Sequence, residues 1–361
     1  MYNAASLSEP SSERHIVSHL FNIAMMVFGG GALVWMMHKL GWSRFQQVID
    51  NVAGWFAIVL ALDVAAVLLD ARALHTFMRP EARMVSYWRV VAAQISGRAV
   101  NVVTPFGALG EATKLTMLVS HAPRARMLSA IVLVNLSTLY FSVTAMLIGT
   151  PITLLLVDLP TSLKLTVGIG LAVLIPLMIA LGVIIKRGAL ATLTGMLHRL
   201  HLISAARRDD WRVRLEEVDR HIAELHTHRS AGTWKGILWV VASRVLTWCS
   251  TMLLISAVGV QVTPQLVIGV FSVGVLISWI ASIVPLGLGL ADGGNYALYD
   301  LLGASGAHGT FVTMLNRVRS LGVALVGFVV MAIVHTLNRI ELMRQRRKLR
   351  DLKAELARQA P

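Results

Sequence analysis

The amino-acid sequence predicts an all-α fold: a polytopic integral membrane helical bundle with two broken, re-entrant helix pairs arranged as an inverted repeat. Three observations carry this. The chain of 361 residues is 56% hydrophobic and only 14% charged, where a soluble domain has about 25% charged residues. Its apolar residues gather into runs long enough to cross about 30 Å of hydrocarbon as helices. Two further apolar regions are interrupted by Pro and Gly at matching places, which a single straight span does not tolerate.

In chain order, residues 1–16 are polar and form a cytoplasmic N-terminal segment, and the membrane domain covers 17–337. Full spans are expected near 17–38, 51–71, 127–148, 163–185, 236–258 and 310–337. The first run has no basic lead-in and no cleavage site, so it reads as a retained helix. Residues 338–361 form a basic cytoplasmic tail that includes Arg344, Arg346, Arg347, Lys348, Arg350 and Lys353. Such a tail attracts anionic lipids by simple electrostatics.

Between the spans, 186–235 is the largest polar stretch. Trp211, Leu215, Val218, Ile222 and Leu225 recur at helical spacing there, so it reads as a cytoplasmic amphipathic helix lying on the bundle or on headgroups. The net charge of +14 does not indicate nucleic acid. The bases sit in 72–89, 121–126, 186–235 and the tail, as the positive-inside rule expects for cytoplasmic loops. Both termini are therefore placed in the cytoplasm. The single cysteine, Cys249, falls inside a span and excludes an intrachain disulfide.

The broken segments are 87–120 and 265–303. The first contains Pro105, Gly107, Gly110 and Glu111, and the second Pro285, Gly287, Gly289 and Asp292. The loop charges require each segment to begin and end on one side of the membrane, and the two to open toward opposite faces. That is the pattern of an inverted repeat, whose interrupted helices meet at a central site in transporters. The plainer reading is a pair of helix-turn-helix hairpins with Pro and Gly in ordinary turns.

Ionisable residues occur deep in apolar segments. Asp63, Glu111 and Asp292, and further out Asp300, are the acids; Arg98, Lys114, Arg244, Arg317 and Arg319 are the bases. Each costs roughly 2.5–3.5 kcal/mol at mid-helix, so they should face an interior or a wet cavity. Glu111 and Lys114 share a helix face. Asp63 and Arg244, both near mid-span, are expected to form a structural ion pair. A cavity rich in Arg suits an anionic headgroup. No phosphate-binding loop, zinc-protease motif or nucleophile elbow is present. His198, His201, His221, His226 and His228 cluster without paired cysteines or clean ligand spacing. No metal, cofactor or enzymatic activity is therefore expected.

The run GRAVNVVTPFGALGEATKLTML, followed by VPLGLGLADGG and NRVRSLGVALVG, resembles the transmembrane region of lysylphosphatidylglycerol synthase and its free-standing flippase-like and hopanoid-associated relatives. The resemblance spans about 17–337. It implies a first motif of Asn101, Pro105, Gly107, Gly110, Glu111 and Lys114, with Lys where the family usually has Arg. It implies a second of Pro285, Gly287, Gly289 and Asp292, with Asp in place of Glu, followed by Arg317 or Arg319. Synthase activity is not implied by the resemblance. The implied activity is movement of a lipid or lipid-linked anionic headgroup between leaflets of a bacterial-type inner membrane. Arg98, Lys114, Arg317 and Arg319 would hold the headgroup, and membrane lipids would be the partners. A scaffold for lipid-synthesis enzymes and an intramembrane lipid-modifying enzyme are the alternatives.

Overall fold

The computed structural model describes residues 42–79, 83–104, 109–119, 122–156, 230–282 and 289–359, with isolated positions between 168 and 220. Among the described residues the fold is helical throughout, without strands. Eight helices are defined: α1 Trp42–Phe77, α2 Tyr87–Val103, α3 Leu109–Leu118, α4 Arg124–Leu156, α5 Ser230–Ala257, α6 Pro264–Ala281, α7 Leu290–Leu301 and α8 Gly306–Gln359. The expected span 17–38, most of 163–185 and of the amphipathic segment 186–235, and Pro105, Gly107, Pro285 and Gly287 lie outside the described residues.

Among the described residues, five helical stretches are long and apolar enough to cross a membrane: Gly54–Phe77, Arg124–Leu156, Ala231–Ala257, Pro264–Ala281 and Gly306–Leu337. Four extend or shift the expected runs. The fourth in chain order differs in kind, because the first half of the second broken segment is itself of spanning length. Its start follows from local chemistry. Thr263 caps α6 by accepting from the Leu266 N–H at 3.2 Å, and Pro264 takes the first helical position, where its missing N–H is no loss.

Contacts fix how the helices run. Gly236 lies against Phe77, Ser243 donates to the Ala66 carbonyl and Ser250 to that of Val59, so α1 and α5 are antiparallel. In α2 and α3, Gly97 faces Lys114, and Gly110 faces both Gly97 and Asn101. In α6 and α7, Gly269 faces Leu302 and Gly294 faces Ile277. Both pairs are thus antiparallel hairpins. The α2/α3 hairpin opens at the end of the bundle where α1 finishes and α5 starts, and α6/α7 opens at the other end. Small residues let the backbones approach, as is usual inside membranes. Gly327 touches the Ile95 carbonyl and Ala99, and Gly149 touches Ser272.

Two large apolar clusters form most of the described core, beside a small one around Val143 and Met146 of α4. One surrounds α2 and α3 with Phe77, Leu118, Met127 and Phe328. The other surrounds α6 and α7 with Val59, Leu254, Tyr299 and Leu315. Along α1 and along α8, one cluster gives way to the other at the level of Asp63 and Arg319. Outside, Ile58, Leu155, Leu238, Leu325 and Ile333 are exposed. In a bundle of this composition such an apolar exterior is the lipid-facing surface.

Candidate functional site

The polar residues lie where the two clusters meet. The carboxylate of Asp63 accepts from Nε and Nη2 of Arg319 in a two-pronged pair, and Ser250 Oγ donates to it at 3.4 Å. Both partners are buried. Arg319 also reaches the Asn316 side-chain oxygen at 3.4 Å. Two turns along α1, Asp70 accepts from Arg244, whose other contact is Ser243 Oγ at 3.2 Å.

The expected pairing of Asp63 with Arg244 is therefore incorrect. In the antiparallel α1/α5 pair, Ser250 stands opposite Asp63 and Arg244 opposite Asp70. Seven residues separate the two acids, about 10 Å along a helix, which is beyond ion-pair reach. Asp63 turns instead to α8. Asp70 was missed because its position near Arg72 places it at the end of a span, although a spacing of seven sets it on the same helix face as Asp63.

The hairpins contribute their own charges. Asn101, near the end of α2, accepts from the Gly110 N–H at 2.7 Å. Its amide donates to Glu111 at 3.5 Å, and Glu111 pairs with Lys114 at 2.9 Å, as the shared face led one to expect. A Cβ on Gly110 would stand 2.1 Å from both Asn101 Oδ1 and the Gly97 carbonyl, so glycine is required by close approach.

In the second hairpin Gly289 precedes α7 at φ 83°, a backbone region that favours glycine. Asp292 accepts from the Gly289 N–H at 2.9 Å and from Arg317 Nη2 at 2.6 Å. It is both helix cap and ion-pair partner. Asn295 donates to Thr313 at 2.8 Å, a second link to α8.

A cavity of about 590 Å³ opens between the hairpins, within the usual range for ligand sites. Arg98, Asn101 and Thr104 line it from the first hairpin; Ser278, Ser282 and Asn295 line it from the second. Asp63, Asn316, Arg317 and Arg319 complete the polar side. Trp248, stacked on Phe271 at 4.4 Å, forms an aromatic wall. Arg98, Asn101, Arg317 and Arg319 are thus brought together. Lys114 is not among the lining residues; it is buried against Gly97 and Glu111. Asn316 and Trp248 were not foreseen, since an amide and an indole give no sequence signal beyond ordinary helix content. No group of metal-binding residues occurs among the described residues.

The family model for the lysylphosphatidylglycerol synthase TM region matches residues 22–327. The chain belongs to this family. The match covers both hairpins, the charged residues between them and the first part of α8, as far as residue 327. No curated protein and no solved structure matches the chain.

Proposed function

We propose that this member of the lysylphosphatidylglycerol synthase TM family moves a lipid, or a lipid-linked anionic headgroup, between leaflets of an inner membrane, with both termini in the cytoplasm. It acts by alternating access and catalyses no chemical step. The observation that carries the reading is a polar cavity bounded by both hairpins, with charged side chains from α1, α2 and α8 at its wall. A scaffold needs no such cavity.

The helix contacts also support an inverted repeat. Exchanging α1 to α4 with α5 to α8 maps the α2/α8 contact onto α6/α4, α2/α3 onto α6/α7, α3/α4 onto α7/α8, and α1/α5 onto itself. Such a repeat allows one half to rock against the other around a fixed site. In the cycle, Glu111 and Asp292 hold Lys114 and Arg317 while the headgroup passes Arg98 and Arg319.

The test replaces each acid by its isosteric amide. Glu111→Gln and Asp292→Asn should still fold, melting below wild type because Lys114 or Arg317 loses its partner, and should lose most of their lipid movement in reconstituted vesicles at a temperature where they remain folded. Wild-type movement in both folded variants would remove these acids from the mechanism.

A further inference from the structure

The charges around the cavity can be balanced one against another. Among the described residues four acids and five bases stand in the middle of the bundle. Asp63 is paired with Arg319, Asp70 with Arg244, Glu111 with Lys114 and Asp292 with Arg317. Arg98 is left over. It makes no hydrogen bond or ion pair among these residues, and its Nη1 is buried without a partner. It lies within electrostatic reach of Asp70, Arg244, Asp63 and Arg319, which are two pairs already neutral. One positive charge therefore remains. A guanidinium keeps its proton at physiological pH, and an uncompensated buried charge is strongly destabilising.

Arg98 lines the cavity, so the missing negative charge can arrive from outside. We infer that the cavity takes a ligand bearing one net negative charge, a phosphodiester-type oxyanion that docks on the Arg98 guanidinium. A dianion would leave the site with an excess negative charge. A zwitterion would satisfy Arg98 but bring a cation, and every acid around the cavity is already paired. Asn316 adds to the docking surface. Its side-chain oxygen accepts from Arg319, leaving its amide nitrogen to donate. On the apolar side, the Trp248–Phe271 stack suits the hydrocarbon of an amphiphile. The ligand class follows from the charges alone; its origin as a membrane lipid rests on the translocation reading.

The experiment is a binding titration on the full chain in detergent, read by thermal shift. The probes are short-chain phosphatidylglycerol with one negative charge, short-chain phosphatidylcholine as zwitterion, and dimethyl phosphate as the oxyanion without chains. Phosphatidylglycerol should stabilise wild type saturably and bind about tenfold or more tighter than phosphatidylcholine. Arg98→Gln should lose at least about tenfold in affinity, as expected for one charged hydrogen-bonded contact. Arg98→Lys, which keeps the charge without the fork, should recover part of it.

Equal binding of the two lipids, or unchanged binding by Arg98→Gln, overturns the assignment. If Arg98→Gln does not fold, Arg98→Lys binding phosphatidylcholine as tightly as phosphatidylglycerol overturns it equally. Dimethyl phosphate competing as strongly as the lipid would keep the ligand class and remove the lipid as its source. A lipid-movement assay separates the two readings. Binding without movement overturns translocation and leaves the charge assignment standing. Movement with Arg98-independent binding does the reverse.

Discussion

The two hairpins solve the same packing problem with different bonds. In the first, the charged and amide links stay inside, Asn101 to Gly110 and Glu111, and Glu111 to Lys114, while hydroxyls of α2 reach outward, Tyr87 to the Leu68 carbonyl of α1 and Ser96 to the Gly327 carbonyl of α8. In the second, the links leave the hairpin for α8, through Asp292 to Arg317 and Asn295 to Thr313. Their backbones differ too. In the first, Gly110 meets a carbonyl of the opposing helix, whereas in the second Gly269 and Gly294 meet only the side chains of Leu302 and Ile277. The ion pair of the first hairpin is thus internal and survives motion against its neighbours. The second is bonded to α8, and α8 to α1 through Arg319 and Asp63. Relative motion around α2/α3 leaves the Glu111–Lys114 pair intact, whereas motion of α6/α7 against α8 must break the Asp292–Arg317 pair.

The largest effect should come from the bond that anchors this α8 frame. Arg319→Gln leaves Asp63 buried and unpaired and should cost roughly 3–5 kcal/mol of stability. Asp63→Asn combined with Arg319→Gln should cost less than the sum of the single changes, as melting in detergent would reveal. Strict additivity would mean that α1 and α8 are not coupled through this pair.

A smaller effect tests the backbones. Gly110→Ala forces a Cβ onto a carbonyl of the opposing helix and should destabilise by about 1–3 kcal/mol. Gly294→Ala displaces only the Cγ2 of Ile277, 2.6 Å away, and should fall below it in the same melting series. The reverse order would erase the distinction between the two interfaces.

The smallest effect is a comparison of couplings. Double-mutant cycles on Glu111 with Lys114 and on Asp292 with Arg317 should each give roughly 0.5–3 kcal/mol. A third cycle, Asp292→Asn with Asp63→Asn, should also show coupling, because Arg317 and Arg319 are two residues apart on α8. Glu111→Gln with Asp63→Asn should be additive. Coupling in that last cycle would mean that the ion pair of the first hairpin is not isolated from the α1–α8 pair.

Much of this was legible in the sequence. Run length and charge distribution predict a helical membrane bundle, and the paired Pro-Gly breaks locate both hairpins. Glu111 with Lys114 could be read from a spacing of three. What could not be read is which helix faces which. Asp63 and Arg244 share an approximate depth, and depth was taken for proximity; only the α1/α5 register shows that they miss each other. The link from Asp292 to Arg317 needs the α7/α8 turn, and nothing in a linear pattern announces it. Asn316 and Trp248 gain meaning only from the cavity between them.

The Asp63–Arg319 pair also has a consequence for biosynthesis. The partners are 256 residues apart in the chain. At about 5–20 residues per second, Asp63 is made roughly a quarter of a minute to nearly a minute before Arg319 exists. Throughout that interval α1 carries an acid with no permanent partner, worth roughly 2.5–3.5 kcal/mol against stable insertion at mid-bilayer. Asp70 waits for Arg244 in the same way, over 174 residues. Early helices of this chain must therefore linger at the insertion machinery, or cross the bilayer provisionally, until the last helix arrives to neutralise them. A nascent chain halted before Arg319 should remain easier to extract from the membrane than one halted after it.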